Sequence, residues 1–273
     1  MRIFTIAERE VKLGFRNSWT YSFLILLSFF TLLIMLLQSG VQATEGYTDM
    51  TGTMMNMTLY LLPLITLLTG SVSTAVEKES GQWSLLSTYA LSPYTFLWGK
   101  WIGLAIIMLA MIAFGFGLSG IITILFGKAI PLGTLIFFWA FSSTLALIYL
   151  GIALFIGAIT NNRWQALIGS IAIWFITIVI WPLLLISGLS LLPYSWIYAI
   201  LEVSTFLNPA ELVRIFSMMK MGAGSAFGPE YAQWISWVNG PYGVPVFMVT
   251  VVIWIVLTVL GGAFIWERRD DNG

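Results

Sequence analysis

Long apolar stretches that contain no Asp, Glu, Lys, Arg or His constrain this chain more than any other feature. They are Trp19–Val41, Met54–Val76, Trp101–Phe126, Leu132–Ile159, Gln165–Ser187 and Val244–Trp266. The hydrocarbon core of a bilayer is ~30 Å thick, and a helix needs about 20 apolar residues to cross it. Each stretch is long enough, and a helix satisfies its own backbone hydrogen bonds in lipid. Charged residues make up 9% of the 273 residues and hydrophobic ones 59%, too apolar for a soluble domain. The expectation is one all-α membrane domain over residues 1–273 with six transmembrane helices. No repeat period or low-complexity tract divides it.

Six spans put both termini on one side, and lysine and arginine choose the side. Arg2, Arg9, Lys12, Arg16, Lys78, Lys100, Arg163, Arg268 and Arg269 gather on one face; Lys128, Arg214 and Lys220 lie on the other. The first face is expected to be cytoplasmic, in a cell (plasma or inner) membrane. The start, MRIFTIAEREVKLGFRNSW, is charged over too long a stretch to read as a cleaved signal peptide. The first apolar block is therefore expected to be a retained span.

The composition also excludes chemistry. The chain has neither cysteine nor histidine, so disulfides, thiol catalysis and Cys/His metal sites are ruled out within it. No metal site is predicted. Spans without charge argue against proton- or sodium-driven transport and against intramembrane proteolysis. Gly99-Lys100 is followed by Trp101, so there is no phosphate-binding GxxxxGK[ST] loop. The chain is not expected to be an enzyme, and any ATP must be used by another subunit. A net charge of zero gives no reason to expect nucleic-acid binding.

Residues 1–18 place Phe4, Ala7, Val11 and Phe15 at helical spacing, with Glu8, Arg9, Lys12 and Arg16 on other faces. Such a helix can lie in the membrane interface with its apolar stripe in lipid, or be an ordinary basic flank. Between the second and third spans sits a polar island, EKESGQWSLLSTYALSPYTFLWGK, over residues 77–100. Gly81 permits a turn, Trp83, Leu85 and Leu86 offer apolar contact, and Ser92-Pro93 starts the next helix. A short helix of this kind suits docking into a partner's groove; a plain loop is the alternative.

The pattern EKExGxxxLLxxxxLSPxxxxxGK resembles the cytoplasmic loop of ABC type-2 permeases, the six-helix membrane subunits of ABC exporters. The likeness extends to the basic N-terminal helix, the spans and the charged tail. Gln82 and Ser84 stand where the family usually has Thr and an acidic residue. The resemblance implies a fold of the type V exporter kind and pairing with a second copy of the chain. It also implies a cytoplasmic ABC ATPase, carrying ATP and Mg²⁺, that engages the loop as a coupling helix. Glu77, Glu79, Gly81, Trp83, Leu85 and Leu86 are the coupling candidates. In the family the first, second and fifth spans face the dimer axis, which makes Gln38, Asn56, Thr66, Thr69, Ser71 and Thr177 pathway candidates. Small residues such as Gly103, Gly117, Gly151 and Gly261 suit close helix packing.

Residues 188–243 form the extracytoplasmic segment. Within it Asn208-Pro209-Ala210-Glu211 reads as a helix start, with Asn208 as cap, Pro209 in the first turn and Glu211 completing a capping box. Leu212, Ile215, Phe216 and Met219 then share a face, so this helix is expected on the outer leaflet. LNPAELVRIFSMMKMGAGSAFG and Thr88-Tyr89 look like the permeases of the nitrous oxide reductase maturation transporters, which serve assembly of a copper–sulfide centre with a periplasmic partner. Asn208, Pro209, Glu211 and Arg214 are the candidates for contact with such a partner. Met50, Met54, Met55, Met57, Met218, Met219 and Met221 offer thioethers that suit Cu(I), or simply adaptable packing. Trp196, Tyr198, Tyr231, Trp234 and Trp237 suit either a partner dock or an interfacial aromatic belt. Two functions follow: a permease driven by a separate ATPase, for this maturation role or for a lipid or drug-like compound, or a mechanical relay to an outer protein that moves little cargo. An ATP-independent channel would leave the polar island without a purpose.

Overall fold

The computed structural model describes residues 2–15, 25–26, 28–29, 31–33, 47–83, 91–126, 131–189, 191, 193–223 and 232–270. Every regular element among them is helical. They are α1 (Arg2–Gly14), α2 (Asp49–Glu79), α3 (Pro93–Leu125), α4 (Leu132–Ile159), α5 (Arg163–Trp174), a π-helical segment (Phe175–Ile180), α6 (Trp181–Leu189), α7 (Tyr194–Leu207), α8 (Pro209–Lys220), α9 (Ala232–Asn239) and α10 (Gly243–Asp270). Among the described residues, 5 helices are long and apolar enough to cross a membrane. They are α2, α3, α4, the continuous run α5–π–α6, and α10. The expected first span, Trp19–Val41, falls mostly outside the described residues.

The helices begin where capping chemistry permits, ahead of the apolar stretches. At the start of α2 the Thr51 amide donates to Thr48 Oγ1 at 3.2 Å and the Thr48 amide donates to Thr51 Oγ1 at 2.7 Å. This reciprocal cap opens α2 at Asp49, five residues before the expected span. Ser92 caps α3 with Pro93 in its first turn, as expected. At about 1.5 Å per residue α3 is some 50 Å long, more than a bilayer core requires. The helix therefore extends beyond the core, and its one charged residue, Lys100, lies in the first turns. Asn162 caps α5 by accepting from the Gln165 amide at 2.9 Å.

α4 is the centre of the bundle: Phe138, Leu145, Tyr149, Leu150 and Ala153 are fully buried. Neighbours reach it through small residues. A Cβ at Gly157 would lie 2.6 Å from Thr74 Cβ, and one at Gly70 would lie 2.7 Å from Ala153 Cβ, so α2 and α4 cross closely. Gly151 meets Thr258 of α10 in the same way. Gly117 has no close neighbour among the described residues.

Two helices sit differently from the sequence expectation. α1 does not lay its whole stripe in lipid. Phe4 and Phe15 stay exposed, whereas Ala7 is buried against α3. Gly99 and Gly103, four apart on α3, remove the side chains that would hold α1 away; a Cβ at Gly103 would lie 2.7 Å from the Ala7 carbonyl oxygen. α8 does not rest on the outer leaflet. Ala210, Leu212, Val213, Ile215 and Met219 are all buried, and the helix wedges against α2, α4, the π-segment and α10. Apolar residues on nearly every side explain the wedge: a helix lying flat would leave half of them in water.

Candidate functional site

The charged ends of α2, α3 and α10 and the connection from α4 to α5 meet at one end of the bundle, the basic end. Three consecutive residues close α2 there, and together they hold four other helices. Glu77 Oε1 pairs with Arg9 of α1 at 3.1 Å, and Glu77 Oε2 pairs with Lys100 of α3 at 3.0 Å. Lys78 Nζ donates to the carbonyls of Ala158 and Thr160, each at 2.7 Å, satisfying orphan oxygens at the end of α4. Arg269 of α10 donates to a third, that of Ile159. Glu79 Oε2 accepts from the Arg163 amide at 3.1 Å and so holds the start of α5.

Behind this brace lies a buried four-charge cluster. Lys100 is fully buried, and its ammonium reaches Glu10 at 3.2 Å as well as Glu77. Glu10 is 3% and Glu77 7% exposed. Arg9, on the open side, pairs with Glu10 at 3.5 Å and Glu77 at 3.1 Å. Charges balance two against two. Burying ions costs several kcal/mol each, so such a cluster is weak as a source of stability; removing one partner is severe. Its value lies in geometry, because a shift of α1, α2 or α3 away from these distances leaves a buried charge without its partner. Outside the cluster, Lys12 donates to Glu8 at 2.6 Å and holds the Glu8 carboxyl below its ordinary value.

The polar island leaves α2 through Gly81, whose φ of 72° is the left-handed conformation that favours glycine. Gln82 Oε1 accepts from Arg9 at 3.2 Å. Trp83 then turns inward, with ring centroids 5.2 Å from Phe96 and 4.6 Å from Trp266. Lys78 Nζ sits 4.9 Å from the Trp266 ring centre. Glu77 and Trp83 therefore face into the chain, and Glu79 is the coupling candidate left partly open. Leu85 and Leu86 lie outside the described residues.

The pathway candidates separate. Asn56 is exposed and Thr69 half-buried. Thr66 is fully buried and donates to the Leu62 carbonyl at 2.8 Å. Ser71 is fully buried and shares a 2.7 Å hydrogen bond with Ser170, joining α2 to α5. Thr66 and Ser71 thus serve packing within the chain. Thr177 lies in the π-segment, where its hydroxyl accepts from Tyr149 at 2.9 Å. Gln38 lies outside the described residues.

At the opposite, distal end, Asn208 caps α8 by accepting from the Ala210 amide at 3.0 Å, with Pro209 in the first turn. The expected capping box does not form. The Asn208 amide is already used on the Ser204 carbonyl at the end of α7, and Glu211 pairs instead with Arg214 Nε at 3.1 Å. Glu211 is buried, so the outer-partner candidates are turned largely into the protein. Trp234 is also buried, with Ile215, Met219 and Val238, and cannot serve as a dock; Trp196 and Trp237 stay exposed. Tyr231 lies outside the described residues. Met54, Met55 and Met219 are buried core residues, and Met218 and Met221 pack against the core.

Sequence reasoning missed the cluster. Lys100 was one of the charges of the basic face, and Glu10 drew no notice. The usable signal was Gly99 beside Lys100 with Gly103 one turn on: a close-approach site next to a cation predicts a helix carrying an anion.

A bundle of long apolar helices with a braced polar connection between two of them is the architecture of a multi-pass membrane protein. The chain belongs to the ABC-2 family of transporter proteins, whose family model matches residues 4–270. It is 26% identical to the probable ABC transporter permease protein NosY of Stutzerimonas stutzeri, over 98% of this chain and 99% of that protein. It is also 26% identical to the probable ABC transporter permease protein NosY of Pseudomonas aeruginosa, over 83% of this chain and 85% of that protein. The chain is thus a multi-pass membrane subunit of an ABC transporter.

Proposed function

We propose that the chain couples ATP hydrolysis by a separate ABC ATPase to movement of its helix bundle, with the basic end facing the cytoplasm and residues 77–100 as the coupling loop. One observation carries this. Glu77, Lys78 and Glu79 hold α1 and α3, α4, and α5 respectively. A pull on the loop that follows Gly81 is delivered at once to four helices. A partner that binds one arrangement more tightly than another then drives the change of state. Two copies of the chain form the working unit, and ATP with Mg²⁺ resides on the ATPase. The whole-length likeness to the two named permeases supports a role in assembling the copper–sulfide centre of nitrous oxide reductase; a lipid or drug-like cargo is the competing proposal.

The test is purification of the tagged chain in lipid nanodiscs with identification of co-purifying proteins. A stoichiometric ABC ATPase is expected. Gly81→Val, which misdirects the loop without a steric clash, should release it or uncouple its activity. Absence of an ATPase in nanodiscs and in several mild detergents would overturn the reading.

A second reading, mechanical relay to an outer protein, draws support from α8, which is built into the bundle rather than laid on the membrane. On this reading an outer protein co-purifies, and Trp196→Ala with Trp237→Ala releases it while the ATPase remains. Retention of the outer protein in that double variant counts against the relay.

A further inference from the structure

The fifth span is interrupted by the π-segment Phe175–Ile180. In a π-helix each carbonyl accepts from the amide five residues on, in place of four. The pattern holds at Ile176, whose carbonyl accepts from the Trp181 amide. The next carbonyl is that of Thr177, and its partner would be the amide of residue 182. That residue is Pro182, which has no N–H. Trp181 is already committed to Ile176, so the helix itself leaves Thr177 O without a donor.

Asn208 supplies one. Its Nδ2 donates to Thr177 O at 2.7 Å, while its Oδ1 accepts from the Ala210 amide at 3.0 Å. One side-chain amide therefore completes the backbone of a membrane span and caps the helix that wedges into the distal end. Thr177 lies about 20 Å along the span from its start at Arg163, roughly two-thirds of the way across a ~30 Å core. At that depth water does not readily replace a missing donor, and an unsatisfied carbonyl is costly.

We propose that Asn208 is a positioning residue that holds the π-segment in register by replacing the amide missing at Pro182, so that α8 and the fifth span move as one piece. The Tyr149 hydroxyl, 2.9 Å from Thr177 Oγ1, steadies the same residue from α4. Motion of the fifth span is then transmitted to the outer helix, and outer contacts are felt at the span's centre. This inference concerns the chain's own hinge and stands whether or not an ATPase drives it.

The chain has no cysteine, so spin labels can be placed at will. Ile171→Cys and Leu184→Cys flank the π-segment at exposed positions. Their separation would be measured by pulsed electron spin resonance on the full chain in nanodiscs, in four backgrounds. Labelled chain is diluted in an excess of unlabelled chain, so that only the two labels of one copy are read, and the parent should then give one narrow distance. Asn208→Ser keeps a capping oxygen but withdraws the amide donor, and should raise a second distance by about tenfold in population, as expected for one buried acceptor left bare. Pro182→Ala restores the missing N–H. Added to Asn208→Ser it should return the parent distance; by itself it should make the distance insensitive to residue 208. An unchanged distribution in Asn208→Ser overturns the proposal. So does an altered one that Pro182→Ala leaves unrepaired. Should Asn208→Ser fail to fold, recovery of folding by Pro182→Ala supports the proposal and continued failure refutes it.

Discussion

The two ends of this bundle solve the same problem with different chemistry. At the basic end, helices are tied by ions: Glu77 to Arg9 and Lys100, Glu79 to Arg163, Lys78 to the carbonyls that finish α4. At the distal end they are tied largely by neutral groups: the Asn208 amide, the Trp254 indole N–H donating to the Phe206 carbonyl at 3.2 Å, and the parallel stack of Phe216 on Phe247 at 3.9 Å. The single ion pair described there, Glu211 with Arg214, lies within α8 and joins no two helices. Depth explains the contrast. The charges of the basic end lie outside the apolar stretches of the sequence, and the buried ones, Lys100, Glu10 and Glu77, are paired with one another and with Arg9. The start of α8 dips among apolar spans, where a bare charge is expensive and a neutral donor suffices. An end tied by balanced charges is weakened when one charge is removed, whereas an end tied by packing and neutral hydrogen bonds is weakened when buried volume or a donor is removed.

The largest effect expected from breaking this contrast is at Lys100. Lys100→Met leaves Glu10 and Glu77 buried without their shared cation and should cost about 3–5 kcal/mol, read as a large fall in melting temperature by intrinsic fluorescence. Adding Glu10→Gln and Glu77→Gln should recover most of it. Failure to recover would mean that the lysine stem, rather than charge balance, holds the site. At the distal end Ile215→Ala should cost about 2–4 kcal/mol, lost locally, with proteolysis between α8 and α9 rising before the spans melt. A simultaneous melt of both ends would mean that the two ends unfold as one unit. Gly103→Val places methyls where the Ala7 carbonyl and Glu10 Cβ lie; overpacking of about 1–3 kcal/mol should undock α1, detected as faster labelling of an Ile6→Cys thiol. Glu79→Gln, at a partly exposed pair, should cost no more than about 1 kcal/mol by the same melting measurement. The smallest effect is at Glu8. Lys12 depresses its carboxyl below the ordinary 4.5, so the pair contributes above that pH and is lost as pH falls through the depressed value. Because the pair is fully exposed, Glu8→Gln should leave the acid melting profile unchanged within error.

Much of this was readable in advance, and for identifiable reasons. The caps at Ser92-Pro93 and Asn208-Pro209 are local: a side chain meets an amide two or three residues on, whatever surrounds it. The spans are equally local, since the bilayer tests each stretch separately. The capping box at Glu211 was misread because the Asn208 amide was already in use by α7, a fact about two helices rather than one. α8 was placed on the leaflet for a related reason: one amphipathic face was visible, and the apolar residues on its other sides had no assigned neighbour. Trp234 looked like a belt residue until Ile215 and Val238 were found around it.

The sequence by itself determined the class of environment, the helical content, the helix starts at Ser92-Pro93 and Asn208-Pro209, the lack of a nucleotide loop and the polar island with its glycine turn. Each depends on residue type and short spacing. Only the tertiary structure decided that Lys100 is buried between Glu10 and Glu77, that Ser71 meets Ser170, and that Asn208 substitutes for an amide absent at Pro182. Those pairings join residues 90, 99 and 31 positions apart. A charge or an amide in a sequence states what it can bond; which partner it meets is decided by how helices cross, and that is set by the small residues and packing of the whole bundle.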